Sequence, residues 1–287
     1  MSDVNRPLLV AIGDLVEDVV VVTRTPPRLG TDTPASIRRR RGGSAANTAA
    51  AAVRAGGRAR FVGRVGDDAA GRELVRRLRD EGVDAIVEEQ GRTGTVVVLV
   101  HDGERSFLTD RGASADLAAI PKTVADGAHW LHVPAYSLAA GPLAAATRAL
   151  IGTCPDLPLS IDASSVALLE SFGADAFLDL VSDLGTQVLL ANEDEAAVLA
   201  LPERALAHGI PVGVVKQGAA ATIVATADTT ARVEPESIDT PFDPTGAGDA
   251  FAAGFVFAHL AGASIGACAT AGNALAREVL TGPRVSW

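Results

Sequence analysis

Short apolar runs alternate along the chain with stretches of helical periodicity, the mark of βα repetition around a mostly parallel sheet. Apolar runs at 8–13, 59–63, 129–133, 159–162, 187–191 and 212–216 predict core strands. Apolar positions three and four apart predict helices at 44–56, 68–81, 142–151, 174–184, 193–199, 247–261 and 265–280. Right-handed crossovers then place helices on both faces of the sheet. Two stretches break this rhythm. Residues 18–22 with 36–40, and 93–101 with 105–109, read as strands with no helix between them, the second pair turning through His101-Asp102-Gly103 as a hairpin. Segments 16–41 and 91–111 therefore predict a small separate sheet, placed as a lid over the crevice at the carboxyl ends of the core strands. Residues 1–287 otherwise read as one α/β domain, without internal repeats or low-complexity linkers.

Composition narrows the partners. With 48% hydrophobic and 21% charged residues, the 287-residue chain is an ordinary folding sequence. Aromatics at 4% leave its core to Ala, Val, Leu and Ile. A net charge of −10 argues against nucleic acid or an anionic membrane, which are held by clustered cations, and leaves small molecules as the expected ligands. Cys154 and Cys268 stand alone, as in a reducing compartment. No basic, apolar and small-residue signal opens the chain, so a cytoplasmic location is expected. Residues 250–276 lack Asp, Glu, Lys and Arg, but this stretch is rich in Ala and Gly and interrupted at Gly262-Ala263-Ser264. It predicts two buried helices rather than a membrane span.

Several motifs fail on their context. Gly262-Ala263-Ser264-Ile265-Gly266 fits a nucleophile elbow, yet no histidine follows His259 to complete a triad. Lys122-Thr123 lacks the preceding glycines of a P-loop, Lys216 is followed by Gln217, and the first strand–helix turn has no G-x-G-x-x-G, so P-loop and Rossmann readings drop out. His129 and His132, three apart in a strand, point to opposite faces and cannot share a metal. The run Arg38-Arg39-Arg40-Arg41 reads as a solvated edge that blocks aggregation.

One stretch carries chemistry on its own. Phe242-Asp243-Pro244-Thr245-Gly246-Ala247-Gly248-Asp249-Ala250-Phe251 is a glycine-rich turn opening into a helix. The free N–H groups of such a first turn, at the positive end of the helix dipole, form an anion site. A carboxylate beside bound phosphate is repelled unless it has a task or caps the helix. Phosphoryl transfer to an alcohol needs both parts, a base for the hydroxyl proton and donors for the moving phosphate; Asp249 and the 246–248 amides supply them.

The run from Asp243 to Phe251 resembles the C-terminal signature of the ribokinase-like (PfkB-type) carbohydrate kinases. Gly42-Gly43-Ser44-Ala45-Ala46-Asn47 resembles that family's N-terminal G-G-x-x-x-N signature, and Val62-Gly63-Arg64-Val65-Gly66-Asp67-Asp68 with Gly71 is similar to its V-G-x-x-G-x-D-x-x-G run. The likeness runs from Gly13 to about Leu280. It implies a three-layer α/β/α fold with a mostly parallel central sheet and a small β lid, and an enzyme that uses ATP and Mg²⁺ to phosphorylate a hydroxymethyl group. On this resemblance Asp249 is the base and Gly246, Ala247 and Gly248 form the anion hole. Asp18, Asp14, Gly42, Gly43 and Asn47 face the substrate, and Arg111 is a candidate cation for a phosphorylated one. Asn192 and Glu195 match the N-x-x-E motif near Mg²⁺ and the phosphates, and Lys216 and Gly218 match a K-x-G stretch beside the nucleotide. Asn273 falls at the adenine pocket, while Asp243 and Thr245 fall at positions that bind K⁺ in many members. Val16 stands where typical ribokinases have Asn, and no Glu follows 131–133, so the ribose pattern is incomplete. A sugar is the leading substrate and a nucleoside the alternative. A sugar-phosphate kinase and a non-catalytic binding module are further alternatives. Open-edged lid strands also suggest a homodimer joined lid to lid.

Overall fold

The computed structural model of the protein describes residues 6–238 and 245–282. In chain order the strands are β1 (Leu8–Ile12), β2 (Val16–Thr23), β3 (Ala35–Gly42), β4 (Arg58–Val65), β5 (Asp84–Glu89), β6 (Thr93–His101), β7 (Glu104–Gly112), β8 (Trp130–Pro134), β9 (Leu159–Asp162), β10 (Val188–Asn192), β11 (Val212–Lys216), β12 (Thr222–Ala225) and β13 (Thr230–Val233). The helices are α1 (Ser44–Arg54), α2 (Ala69–Asp80), α3 (Gly141–Gly152), α4 (Val166–Phe172), α5 (Ala174–Asp183), α6 (Glu193–Leu199), α7 (Glu203–Ala207), α8 (Ala247–Leu260) and α9 (Ile265–Thr281).

Among the described residues, nine strands form the main sheet in the order β13-β12-β11-β10-β9-β8-β1-β4-β5, parallel except where β12 runs antiparallel to both neighbours. Its central strands are apolar because both faces are covered. In β1, Leu9 and Ala11 enter the core beneath α1, α2, α8 and α9, whereas Leu8, Val10 and Ile12 enter the core beneath α3, α5 and α6. The alternation of one strand thus feeds two cores, giving the three layers.

The charge-free stretch 250–276 becomes most of α8 and α9, which pack on each other. A Cβ on Gly254 would meet the Ala271 carbonyl oxygen at 2.7 Å, and one on Gly272 would meet the Phe251 ring at 2.7 Å. Small residues serve close helix contact here. Among the described residues, no helix is long and apolar enough to cross a membrane.

The second sheet has the order β3-β2-β6-β7. Its β6–β7 hairpin turns at Asp102 and Gly103, both with positive φ (49° and 81°), as a two-residue primed turn requires. β3 is an edge strand, but the expectation for its arginine run needs correction. The side chains of Arg40 and Arg41 keep only 15% and 12% of their exposure. Arg40 lies opposite Asp18 across β2–β3 and pairs with it at 3.4 Å, while Arg41 turns the other way toward α2. His129 and His132 serve structure: His129 Nδ1 accepts from the Leu8 amide at 3.2 Å, and buried His132 shares Ser160 Oγ with Trp130.

Candidate active site

The glycine turn at 246 delivers what its sequence promises. Gly246 has φ 84°, and α8 begins at the next residue with no side chain among the described residues capping it. The first-turn N–H groups therefore remain available to a ligand. Asp249 projects from that turn and is met by α1, whose Ser44 and Asn47 stand three apart and share a face. Ser44 Oγ donates to Asp249 Oδ1 at 2.6 Å and Asn47 Nδ2 to Oδ2 at 3.0 Å. Burial, reinforced by Asp162, raises the Asp249 carboxyl to about 6 against the opposing effects of Ser44, Asn47 and Lys216.

Gly42 and Gly43 set the approach of α1. A Cβ on Gly42 would lie 2.0 Å from Asp18 Oδ1, and one on Gly43, at φ 100°, would lie 2.1 Å from the Asp14 carbonyl oxygen. Only glycine allows the chain to pass between the two acidic positions and Ser44. Asp14 in turn takes a forked pair of bonds from Arg111 on β7, at 2.7 and 2.8 Å. Arg111, the candidate cation for a phosphorylated substrate, therefore has most of its charge satisfied by a bidentate carboxylate.

On the other side of Asp249 opens a cavity of about 740 Å³. The carboxyl ends of β9, β10 and β11 supply its floor: Asp162, Asn192 and Lys216. Lys216 Nζ donates to Asp162 at 2.5 Å, with both side chains largely buried. Asn192 caps α6 in a reciprocal box, accepting from the Glu195 amide at 2.9 Å while its own amide donates to Glu195 Oε2 at 2.9 Å. Burial, then repulsion from Asp162, pushes Glu195 up to about 7. Lys216 is raised despite its burial, because Asp162 and Glu195 hold its proton. Gly218 and Asn273 also line the cavity, with Asn273 Oδ1 fixed by Thr222 Oγ1 at 2.9 Å. The lid reaches in through Arg105 and Phe107, and Arg105 donates to Thr245 Oγ1 at 3.0 Å.

The structure thus brings Asp249, Gly246, Ala247, Gly248, Asn192, Glu195, Lys216, Gly218 and Asn273 to one cavity. Asn47 adjoins it through Asp249, and Gly42, Gly43, Asp14, Asp18 and Arg111 gather between lid and main sheet. Asp243 lies outside the described residues. Sequence reasoning passed over Asp162, whose signal was an acidic residue ending a core strand, and Arg105, which carries no motif. Chemically, the arrangement offers an ammonium, a guanidinium and helix-end amides for a polyanion, with a carboxylate beside them as a proton acceptor.

Comparison with known proteins agrees with this chemistry. The chain matches the pfkB family carbohydrate kinase description over residues 6–286. It is 31% identical to a fructokinase of Salmonella typhimurium, with 71% of each chain covered. The crystal structure of adenosine kinase from Sinorhizobium meliloti superposes with a TM-score of 0.85 at 25% identity, covering 98% of this chain and 97% of that one. A putative ribokinase II of E. coli, in complex with ATP and Mg²⁺, superposes with a TM-score of 0.83 at 21% identity, covering 97% of this chain and 94% of that one.

Proposed function

The chain belongs to the pfkB family of carbohydrate kinases, and from that premise we propose that it transfers the γ-phosphate of ATP to a hydroxymethyl group of a small neutral sugar. The observation that carries this reading is Asp249, held by Ser44 and Asn47 beside an uncapped helix N-terminus and facing the cavity that contains Lys216. The acceptor hydroxyl gives its proton to Asp249 as its oxygen bonds to the γ-phosphorus. The bond to the β–γ bridging oxygen breaks and ADP departs. The amides of residues 246–248 and the Lys216 ammonium stabilise the phosphate charge in transit.

A neutral acceptor is favoured because Asp14 already occupies the Arg111 fork. Asp18 and Asn47 offer the acceptor and donor atoms that a polyol needs. The fructokinase relative supports a hexose; the adenosine kinase neighbour supports a nucleoside as the second reading. Buried Asp162 and Glu195 supply oxygen ligands suited to Mg²⁺ held through water, and when bound that ion neutralises part of the phosphate charge. Thr245 is the described half of a candidate K⁺ position. Residues 16–41 and 91–111 act as the lid of a single catalytic unit.

The lid also supports self-association. Ile37 and Leu108 are 63% and 60% exposed, and the strand register places them on one face with Val19, Val21, Val97 and Leu99. A homodimer through that face predicts twice the monomer mass by light scattering, and a monomer at micromolar concentration would exclude it. The catalytic reading is tested by ADP release from Mg²⁺-ATP over a panel of hexoses, pentoses, sugar phosphates and nucleosides, with Asp249→Asn as blank. Turnover of a neutral sugar that vanishes in the variant is the expected result; preference for a nucleoside would select the second reading.

A further inference from the structure

From the contacts behind Asp249 we infer that Arg41, the last residue of the arginine run, is a positioning residue that orients the catalytic base through Asn47. The inference rests on the reading of Asp249 as base and adds a residue beyond it. Arg41 Nη1 donates to Asn47 Oδ1 at 2.8 Å, and Asn47 Nδ2 donates to Asp249 Oδ2 at 3.0 Å. The other edge of the Arg41 guanidinium is gripped by Glu81 at the end of α2, with Nε and Nη2 each 3.2–3.3 Å from its oxygens. One continuous chain of charge-assisted bonds therefore runs from Glu81 to Asp249.

The chemistry of this chain fixes a choice that an asparagine otherwise leaves open. The amide of Asn47 can rotate by half a turn with little change in shape. Arg41 has donors only and an ionised Asp249 has acceptors only, so only one orientation satisfies both neighbours. A flipped amide would set donor against donor on one side and oxygen against oxygen on the other. Arg41 thus holds the Asn47 NH₂ group toward Asp249 and keeps that carboxylate turned for its task. Its positive charge, felt together with Lys216 on β11 and against Asp162 on β9, also favours the ionised base.

A lysine replaces this function poorly, because its single ammonium cannot present the separate edges that the guanidinium turns to Glu81 and Asn47. A second cavity of about 530 Å³ is lined by Arg41, Asn47 and Glu81, so a small cation can reach the place that a truncated Arg41 leaves. This gives a test that a merely structural ion pair would fail.

In Arg41→Ala, kcat for the sugar identified above should fall about 10–100-fold, the scale of an outer partner that orients a catalytic group, while KM for ATP stays within a factor of two or so. The acidic limb of kcat should move to higher pH, and millimolar guanidinium should restore part of the rate in Arg41→Ala but not in Asp249→Asn. Arg41→Lys should recover little. Unchanged kcat and pH limb in a folded Arg41→Ala, or a loss with no guanidinium response, would overturn the inference. If Arg41→Ala does not fold, Glu81→Gln replaces it, with a several-fold fall in kcat and the same direction of pH shift expected; no change would count against the role. If the wild-type protein phosphorylates nothing on the panel, the base reading fails separately. The Asp249 carboxyl band, isolated by infrared difference against Asp249→Asn, then decides: Arg41→Ala should titrate at higher pH than wild type, and an unmoved titration refutes the coupling.

Discussion

In the main sheet, ionisable groups gather at the ends of strands: Asp162, Lys216 and Glu195 close β9, β11 and the β10–α6 turn, and the central strands behind them are mostly apolar. In the lid sheet the arrangement is reversed. Charged residues run along β3 and β7, the apolar Ile37 and Leu108 face water, and buried charges meet protein partners, Asp18 with Arg40 and Asp14 with Arg111. A buried charge that shares its compensation with a ligand is set up for chemistry, whereas one fully satisfied by a neighbour is set up for shape. Apart from Arg41, which reaches out of β3 to the catalytic base, the main sheet should therefore govern turnover and the lid should govern which acceptor is taken.

The hardest test of that division is Asp249→Asn, which should lower kcat about 10²–10⁴-fold, the usual worth of a general base. Its melting temperature should not fall, because an amide relieves a buried carboxylate. Lys216→Met comes next. It strands Asp162 without its partner and should cost about 3–5 kcal/mol of stability in urea titration, the scale for breaking a buried pair; a loss below about 1 kcal/mol would mean that water already compensates Asp162. In the lid, Asp14→Asn frees the Arg111 fork. The ratio of kcat/KM for a sugar phosphate over the parent sugar should rise about tenfold, the value of roughly 1.4 kcal/mol, with kcat for the parent sugar changed less. A fall in kcat as large as that of Asp249→Asn would break the division.

The smallest effect is a matter of pH. Glu195 titrates near 7 in the fold against an ordinary 4.5. A raised carboxyl contributes its stabilisation fully below the unfolded value and loses it as pH rises through the folded one. Glu195→Gln, which can still cap α6, should accordingly raise the melting temperature by a few degrees at pH 8 and leave it nearly unchanged at pH 4. An equal shift at both values would show that packing, not ionisation, is responsible.

What the sequence disclosed follows the same physics. Strands buried on both faces are short, apolar and bounded by turns, so β1, β8, β9, β10 and β11 stood out to within a residue or two. The edge strands β5 and β13 did not, because DAIVEE and TARV alternate too little apolar character to be told from loop, and the four-residue β12 beside β13 is too short to stand out. The five-residue α7 and seven-residue α4 are short and carry no motif at their start, unlike the equally short α6, which the Asn192-to-Glu195 run marks. Asp249 and the glycine turn were legible because backbone approach and anion binding demand particular residue types at fixed spacing. Asp162 was not, since one acidic residue ending a short run such as Leu-Ser-Ile-Asp is a common pattern. The arginine run misled for a different reason. Charge along a strand says nothing about which members turn inward, and only the packing of β3 against α2 decides that Arg41 does.

Asp249 meets Ser44 and Asn47 across about 200 intervening residues. A chain emerging from the ribosome therefore displays the alanine face of α1 long before α8 exists to cover it. The nascent protein can pair β1 with β4, and later with β8, but the site waits for the last helices. Chaperone protection of that small-residue face during synthesis, and abrupt rather than gradual gain of activity as the C-terminal helices are completed, are built into this connectivity.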